Sequence, residues 1–98
     1  MMRLYILLMN MYIIMTMTIK GDVMYMFYLE YNLELSEESL YDYYVLHYNN
    51  KKVYEDSHVY DKRGGYVMLK LVEDKYVLLN EPNENKNEVN EYLNKLNL

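Results

Sequence analysis

The 98 residues carry a net charge of −5, a 52% apolar fraction and no cysteine. A chain of this length forms one domain, residues 1–98, and buries enough surface for a core without covalent help; the missing cysteine excludes disulfides, thiolate nucleophiles and zinc–thiolate sites. The acidity argues against direct nucleic-acid binding, which draws its affinity from phosphates neutralised by Lys and Arg, and the only net-positive stretch is 62–80, where Lys62, Arg63, Lys70 and Lys75 outnumber Glu73 and Asp74.

The first element raises a membrane question. Leu4 to Ile19 has no charge and is flanked by Arg3 and Lys20. A spanning helix needs about 20 apolar residues, and this run is shorter and is interrupted by Tyr5, Asn10, Tyr12, Thr16 and Thr18. No small-residue cleavage site follows it, as a signal peptide requires. Paired strands fit better. A three-residue loop at Lys20-Gly21-Asp22 sets Ile19 against Val23, Met17 against Tyr25, Met15 against Phe27 and Ile13 against Leu29, all apolar. Tyr12, Ile14, Thr16 and Thr18 then share the mixed face with Met24, Met26 and Tyr28. Slipping the register by one would move Glu30 and Asn32 onto the Met/Ile face, which a buried side resists. The expectation is a long hairpin of 11–19 and 23–34, with 3–9 extending its first strand or forming another.

A helix is expected next. Ser36 is an N-cap, Glu37 and Glu38 place charge in the first turn, and Leu35 with Leu40 forms a staple. Leu40, Tyr43, Tyr44 and His47 follow the spacing of a buried stripe, and Asn49-Asn50 ends it. A meander of three strands follows: Val53–Tyr60, Tyr66–Val72 and Tyr76–Leu79. Asp61-Lys62-Arg63-Gly64-Gly65 and Glu73-Asp74-Lys75 form its turns. Asn80-Glu81-Pro82-Asn83 breaks the sheet, and 84–97 reads as an amphipathic helix that buries Val89, Tyr92, Leu93 and Leu96. The fold class is α+β, an antiparallel sheet with two helices in the order β-β-α-β-β-β-α. From Ser36 onward this order is similar to that of the double-stranded RNA-binding domain. The basic residues at the start of that family's second helix would fall near 83–87, where Glu84 and Lys86 sit among asparagines, and the charge pattern argues against RNA binding.

Catalytic constellations are absent from the pattern. His47 and His58 lack ligand partners at helical spacing, and Ser57 and His58 are strand neighbours whose side chains point to opposite faces. Gly21, Gly64 and Gly65 form no phosphate loop. No catalytic residue, cofactor or metal is therefore expected. Two surfaces suggest binding. One is acidic and aromatic: Glu37, Glu38, Tyr41 and Asp42, continued by Glu55, Asp56 and Asp61, suited to a basic partner surface. The other is the mixed hairpin face of Tyr12, Ile14, Met24, Met26 and Tyr28, suited to adaptable apolar contact or to a homodimer. Small size, acidity and a coding bias with no alanine match the general character of phage and viral accessory proteins. The functional expectation is thus a cytoplasmic, non-enzymatic protein-binding module that inhibits a host nucleic-acid-binding defence protein. The alternative is a membrane-associated accessory protein held by residues 4–19.

Overall fold

The computed structural model describes the backbone of residues 2–8, 11–52 and 64–98, and the side chains of residues 15–52 and 64–98. The strands are β1 (Met2–Leu8), β2 (Met11–Lys20), β3 (Val23–Asn32), β4 (Asp42–Lys52), β5 (Gly64–Val72) and β6 (Lys75–Leu78). The helices are α1 (Leu33–Glu37), between β3 and β4, and α2 (Lys86–Leu96), after β6. The strands form one antiparallel sheet in the order β1-β2-β3-β4-β5-β6, every neighbour in sequence being a neighbour in space. The architecture is α+β as the patterning requires, with residues 2–8 forming a strand of their own. Residues 4–8 and 11–19 lie in strands, not in a membrane helix, and no helix among the described residues is long and apolar enough to cross a bilayer. The expected strand Val53–Tyr60 and the start of the following turn, with His58, lie outside the described residues.

Two local expectations give way. The first concerns the β2–β3 turn. Only Gly21 and Asp22 stand outside the pairing, because Lys20 faces Val23. Gly21 sits at φ 61°, the left-handed value that glycine adopts at the first position of a tight hairpin turn. The shorter loop moves the register by one: Ile19 faces Met24, Met17 faces Met26 and Met15 faces Tyr28, while Thr16 faces Phe27 and Thr18 faces Tyr25. The buried side is therefore the threonine side of β2, and Thr16 is buried. Glu30 does share a face with the methionines, and among the described residues no helix covers that face.

The second concerns Ser36–Asn50. A helix there would leave β3 with no partner on one side. Instead β4 runs eleven residues and pairs with all of β3, from Asn32↔Tyr43 to Val23↔Lys52. Tyr43, Tyr44 and Val45 are strong strand formers, and the alternation Tyr44, Leu46, Tyr48 against Tyr43, Val45, His47 decides the face. Leu46 and Tyr48 are buried, whereas His47 is half-exposed. The helix that remains is five residues long, and the order of helix, three strands and helix is kept as α1-β4-β5-β6-α2.

The core lies between one sheet face and α2. Phe27 and Leu29 of β3, Leu46 and Tyr48 of β4, and Val67 and Leu69 of β5 pack with Val89 and Tyr92 of α2. The rings of Phe27 and Tyr92 stack with centroids 4.6 Å apart and planes 8° from parallel. Two polar ties orient the helix. Lys20 of β2 pairs with Glu91, and the buried Asn50 of β4 donates to the side-chain oxygen of Asn85 at 3.1 Å. Asn85 holds φ 56° immediately before α2, and its carbonyl accepts the Val89 amide at 2.9 Å.

Candidate functional site

The connection from β3 to β4 is a ten-residue excursion, Leu33 to Tyr41 with Asp42 at the strand entry. Polar side chains fix its base. The Asn32 side chain accepts the Leu35 amide at 3.1 Å, so Asn32, not Ser36, is the cap of α1. Ser36 is buried; its hydroxyl donates to the Asn32 carbonyl at 2.6 Å and accepts the Tyr43 amide at 2.8 Å. One hydroxyl thus clamps the end of β3 to the start of β4. Ser39 closes the tip by accepting the Tyr41 amide at 3.2 Å.

With its hydrogen bonds turned inward, the excursion presents the rest of its side chains to solvent. Leu40 is 99% exposed, Tyr41 42%, and Leu33 and Leu35 41% each. Between them stand Glu34, Glu37, Glu38 and Asp42, also exposed, with no Lys or Arg in residues 33–42. A fully exposed leucine beside an exposed ring contributes nothing to the core, and flanking carboxylates give it an electrostatic frame. The ammonium of Lys70 in β5 lies 3.9 Å from the Tyr41 centroid and holds the ring by a cation–π contact.

A ladder of phenols supports this end of the sheet. Tyr31 of β3, Tyr44 of β4 and Tyr76 of β6 make edge-to-face contacts at 5.3 and 5.2 Å. The Tyr31 hydroxyl donates to Asp42 Oδ1 at 3.0 Å, which anchors the one carboxylate that belongs to a strand. Burial pushes the Tyr44 hydroxyl far above the ordinary phenol range, with neighbouring Tyr76 adding to the shift. Burial likewise raises Tyr76, partly offset by its bond with Tyr44. The Tyr44 and Tyr76 hydroxyls are hydrogen-bonded to each other within this ladder.

The expected acidic surface is brought together in part. Glu37 ends α1, Glu38 caps it, Tyr41 lies in the loop and Asp42 opens β4; they share one excursion and not one helix face. Glu55, Asp56 and Asp61 lie outside the described residues. Leu40, expected as the inward residue of a helix stripe and the partner of a staple with Leu35, is the most exposed large apolar residue of the excursion. Its position is the signal that sequence periodicity hides, because a leucine fits a helical stripe and a loop tip equally well.

The expected hairpin face divides. Met24, Met26 and Tyr28 lie on the open face with Met15 and Met17, but the register sets Ile14 against Leu29, and Tyr12 shares its parity. Those two positions therefore belong with the opposite side of the sheet. The open face also carries His47, which contacts the rings of Tyr28 and Tyr66 and lies 3.6 Å from Glu30. Among the described residues no three His, Asp or Glu side chains converge to hold a metal ion. No family model, no curated protein and no solved structure matches the chain.

Proposed function

We propose that this chain is a non-enzymatic protein-binding module whose contact element is the excursion 33–42. The observation that carries the proposal is Leu40, wholly exposed beside Tyr41 within a frame of four carboxylates, on a loop held at its base by Ser36. Apolar and aromatic anchors supply most of the energy of a protein contact, and surrounding charges steer the approach and select the partner. The complementary surface is an apolar pocket rimmed by Lys and Arg. Basic rims of that kind belong to proteins that bind nucleic acids. A host protein of that class, inhibited by carboxylates occupying its phosphate-binding surface, is the partner we propose, with a phage or virus as the source.

The test is affinity capture from host lysate with the native chain, with Leu40→Ser and with Glu37→Lys/Glu38→Lys, followed by nucleic-acid binding by the captured protein. Leu40 buries nothing in the free chain, so its replacement should change folding stability by less than about 0.5 kcal/mol. Loss of an anchor should weaken binding by about 2 kcal/mol, roughly thirty-fold. Capture that is equal for all three proteins, or a captured partner that keeps its nucleic-acid binding, refutes the proposal.

A further inference from the structure

The two edges of the sheet are treated differently. At the β6 edge the strand is four residues long, and the outward backbone groups of Tyr76 are occupied: Asn97, just beyond α2, accepts the Tyr76 amide through Oδ1 at 2.8 Å and donates from Nδ2 to the Tyr76 carbonyl at 3.0 Å. A side-chain amide there mimics the next strand, and the Lys75 ammonium covers the same corner by donating to the Asn97 carbonyl. Such devices stop a sheet from recruiting another chain. The β1 edge has none of them among the described residues. It is seven residues long, Met2-Arg3-Leu4-Tyr5-Ile6-Leu7-Leu8, with one charge, no proline, no glycine, and an unbroken pairing to β2 from Met2↔Met17 to Leu8↔Met11. An apolar, regular edge of this length is a template for strand addition.

We infer that β1 pairs with β1 of a second copy, antiparallel across a two-fold axis normal to the sheet. The sequence of β1 suits its own copy. With the axis at Tyr5, Leu4 comes opposite Ile6 and Met2 opposite Leu8 as apolar pairs, and Arg3 comes opposite Leu7, so the two arginines stand apart instead of facing each other. This register pairs residues of equal parity, so each side of one sheet continues as the same side of the other. The result is a twelve-stranded sheet with both α2 helices on one side. The pairing is closed, because the two-fold axis makes each copy use its β1 edge once. The seam lies on the far side of β2 and β3 from the excursion 33–42, so it stands or falls independently of the proposed partner-binding role.

Light scattering and hydrogen exchange on the full-length chain test this pairing. The 12.0 kDa chain should elute at about 24 kDa, twice its mass for a two-fold pair, at micromolar concentration. Every amide of β1 should be protected, where an unpaired edge protects only the alternate amides that bond to β2. Leu4→Lys/Ile6→Lys and Leu4→Glu/Ile6→Glu place like charges across the seam on the open side of the sheet. Each alone should be monomeric, and an equimolar mixture should restore a mixed dimer. A native chain that is monomeric, a dimer whose β1 shows only alternate protection, or charge variants that still self-associate each overturn the assignment. The first two outcomes are read on the native chain and do not require the variants to fold.

Discussion

The stack of Phe27 on Tyr92 joins α2 to the middle of the sheet, and its removal should be costly in a calculable way. Both rings are buried, and they lie nearly parallel at 4.6 Å between centroids. Truncating a buried aromatic side chain to alanine costs about 3–5 kcal/mol in lost burial and residual cavity. A chain of this size has a total stability of about 5–15 kcal/mol, so Tyr92→Ala consumes between a fifth and all of it. Tyr92→Leu keeps much of the apolar volume and isolates the ring contact. In a double-mutant cycle with Phe27→Leu, urea unfolding followed by far-ultraviolet circular dichroism should give a coupling of about 0.5–1.5 kcal/mol, the energy of a ring pair beyond its area. Tyr66 lies on the opposite sheet face, and its replacement by serine should be additive with Tyr92→Leu to within about 0.5 kcal/mol. Additivity between Phe27→Leu and Tyr92→Leu would refute the placement of α2 over β3, and with it the account of which sheet face is the core.

Three further outcomes follow from other contacts. Ser36→Ala removes the hydroxyl shared by the Asn32 carbonyl and the Tyr43 amide; leaving those groups unpaired should cost about 1–3 kcal/mol in urea unfolding and speed amide exchange throughout 33–42. Gly64→Ala should cost about 1–3 kcal/mol, because a Cβ there would stand 2.5 Å from the Tyr48 carbonyl oxygen, part of a paired strand that cannot yield. Gly65→Ala should cost less, since its Cβ would meet the Tyr48 hydroxyl at 3.1 Å and a side chain can shift. Glu91 has its carboxyl held below the usual value of 4.5 by the Lys20 ammonium, so the pair stabilises the fold above that value and is lost as pH falls through the lower folded value. Glu91→Gln should therefore lie below the native chain in stability at neutral pH, converge with it in acid, and show a smaller difference in molar salt.

Where sequence and structure agree, a single physical rule decides the segment. Val67 and Leu69 alternate with Met68 and Lys70, and a strand with one buried face is the only regular element with that period. Val89, Tyr92, Leu93 and Leu96 fit only a helix, and α2 buries or half-buries all four. Where they disagree, two rules compete. Leu40, Tyr43, Tyr44 and His47 satisfy helical spacing, while Tyr44, Leu46 and Tyr48 satisfy strand alternation, and both patterns share Tyr44. The choice rests on a nonlocal demand, that ten residues of β3 find partners along their whole length, which no local pattern carries. The β2–β3 register is a similar case. The Met/Ile side is the more apolar, but burial goes to the side the helix covers, and that side carries Thr16 and Thr18. Among the candidate contact residues, the carboxylates were legible as charge. Leu40 was not, because an anchor on a loop is indistinguishable from core until the loop is seen.

The loss of the long first helix has a consequence for the whole surface. α2 spans eleven residues, about 16 Å of helix some 10 Å across, while six strands about 4.8 Å apart extend about 24 Å from the first axis to the last. One such helix covers two or three strands, and the buried residues it packs on belong to β3, β4 and β5. Among the described residues no helix lies on the opposite face, and Met17, Met24, Met26, Val45 and Met68 are half-buried there. What keeps that face from being one continuous apolar patch is the polar set threaded through it: Glu30 with His47, Asn49 and Lys70. The register that sets Glu30 among the methionines is thus what a one-helix sheet requires. A slip of one residue would bury Glu30 beneath α2 and strip the open face of its charge, so the two-residue turn at Gly21-Asp22 fixes both the core and the character of the exposed surface.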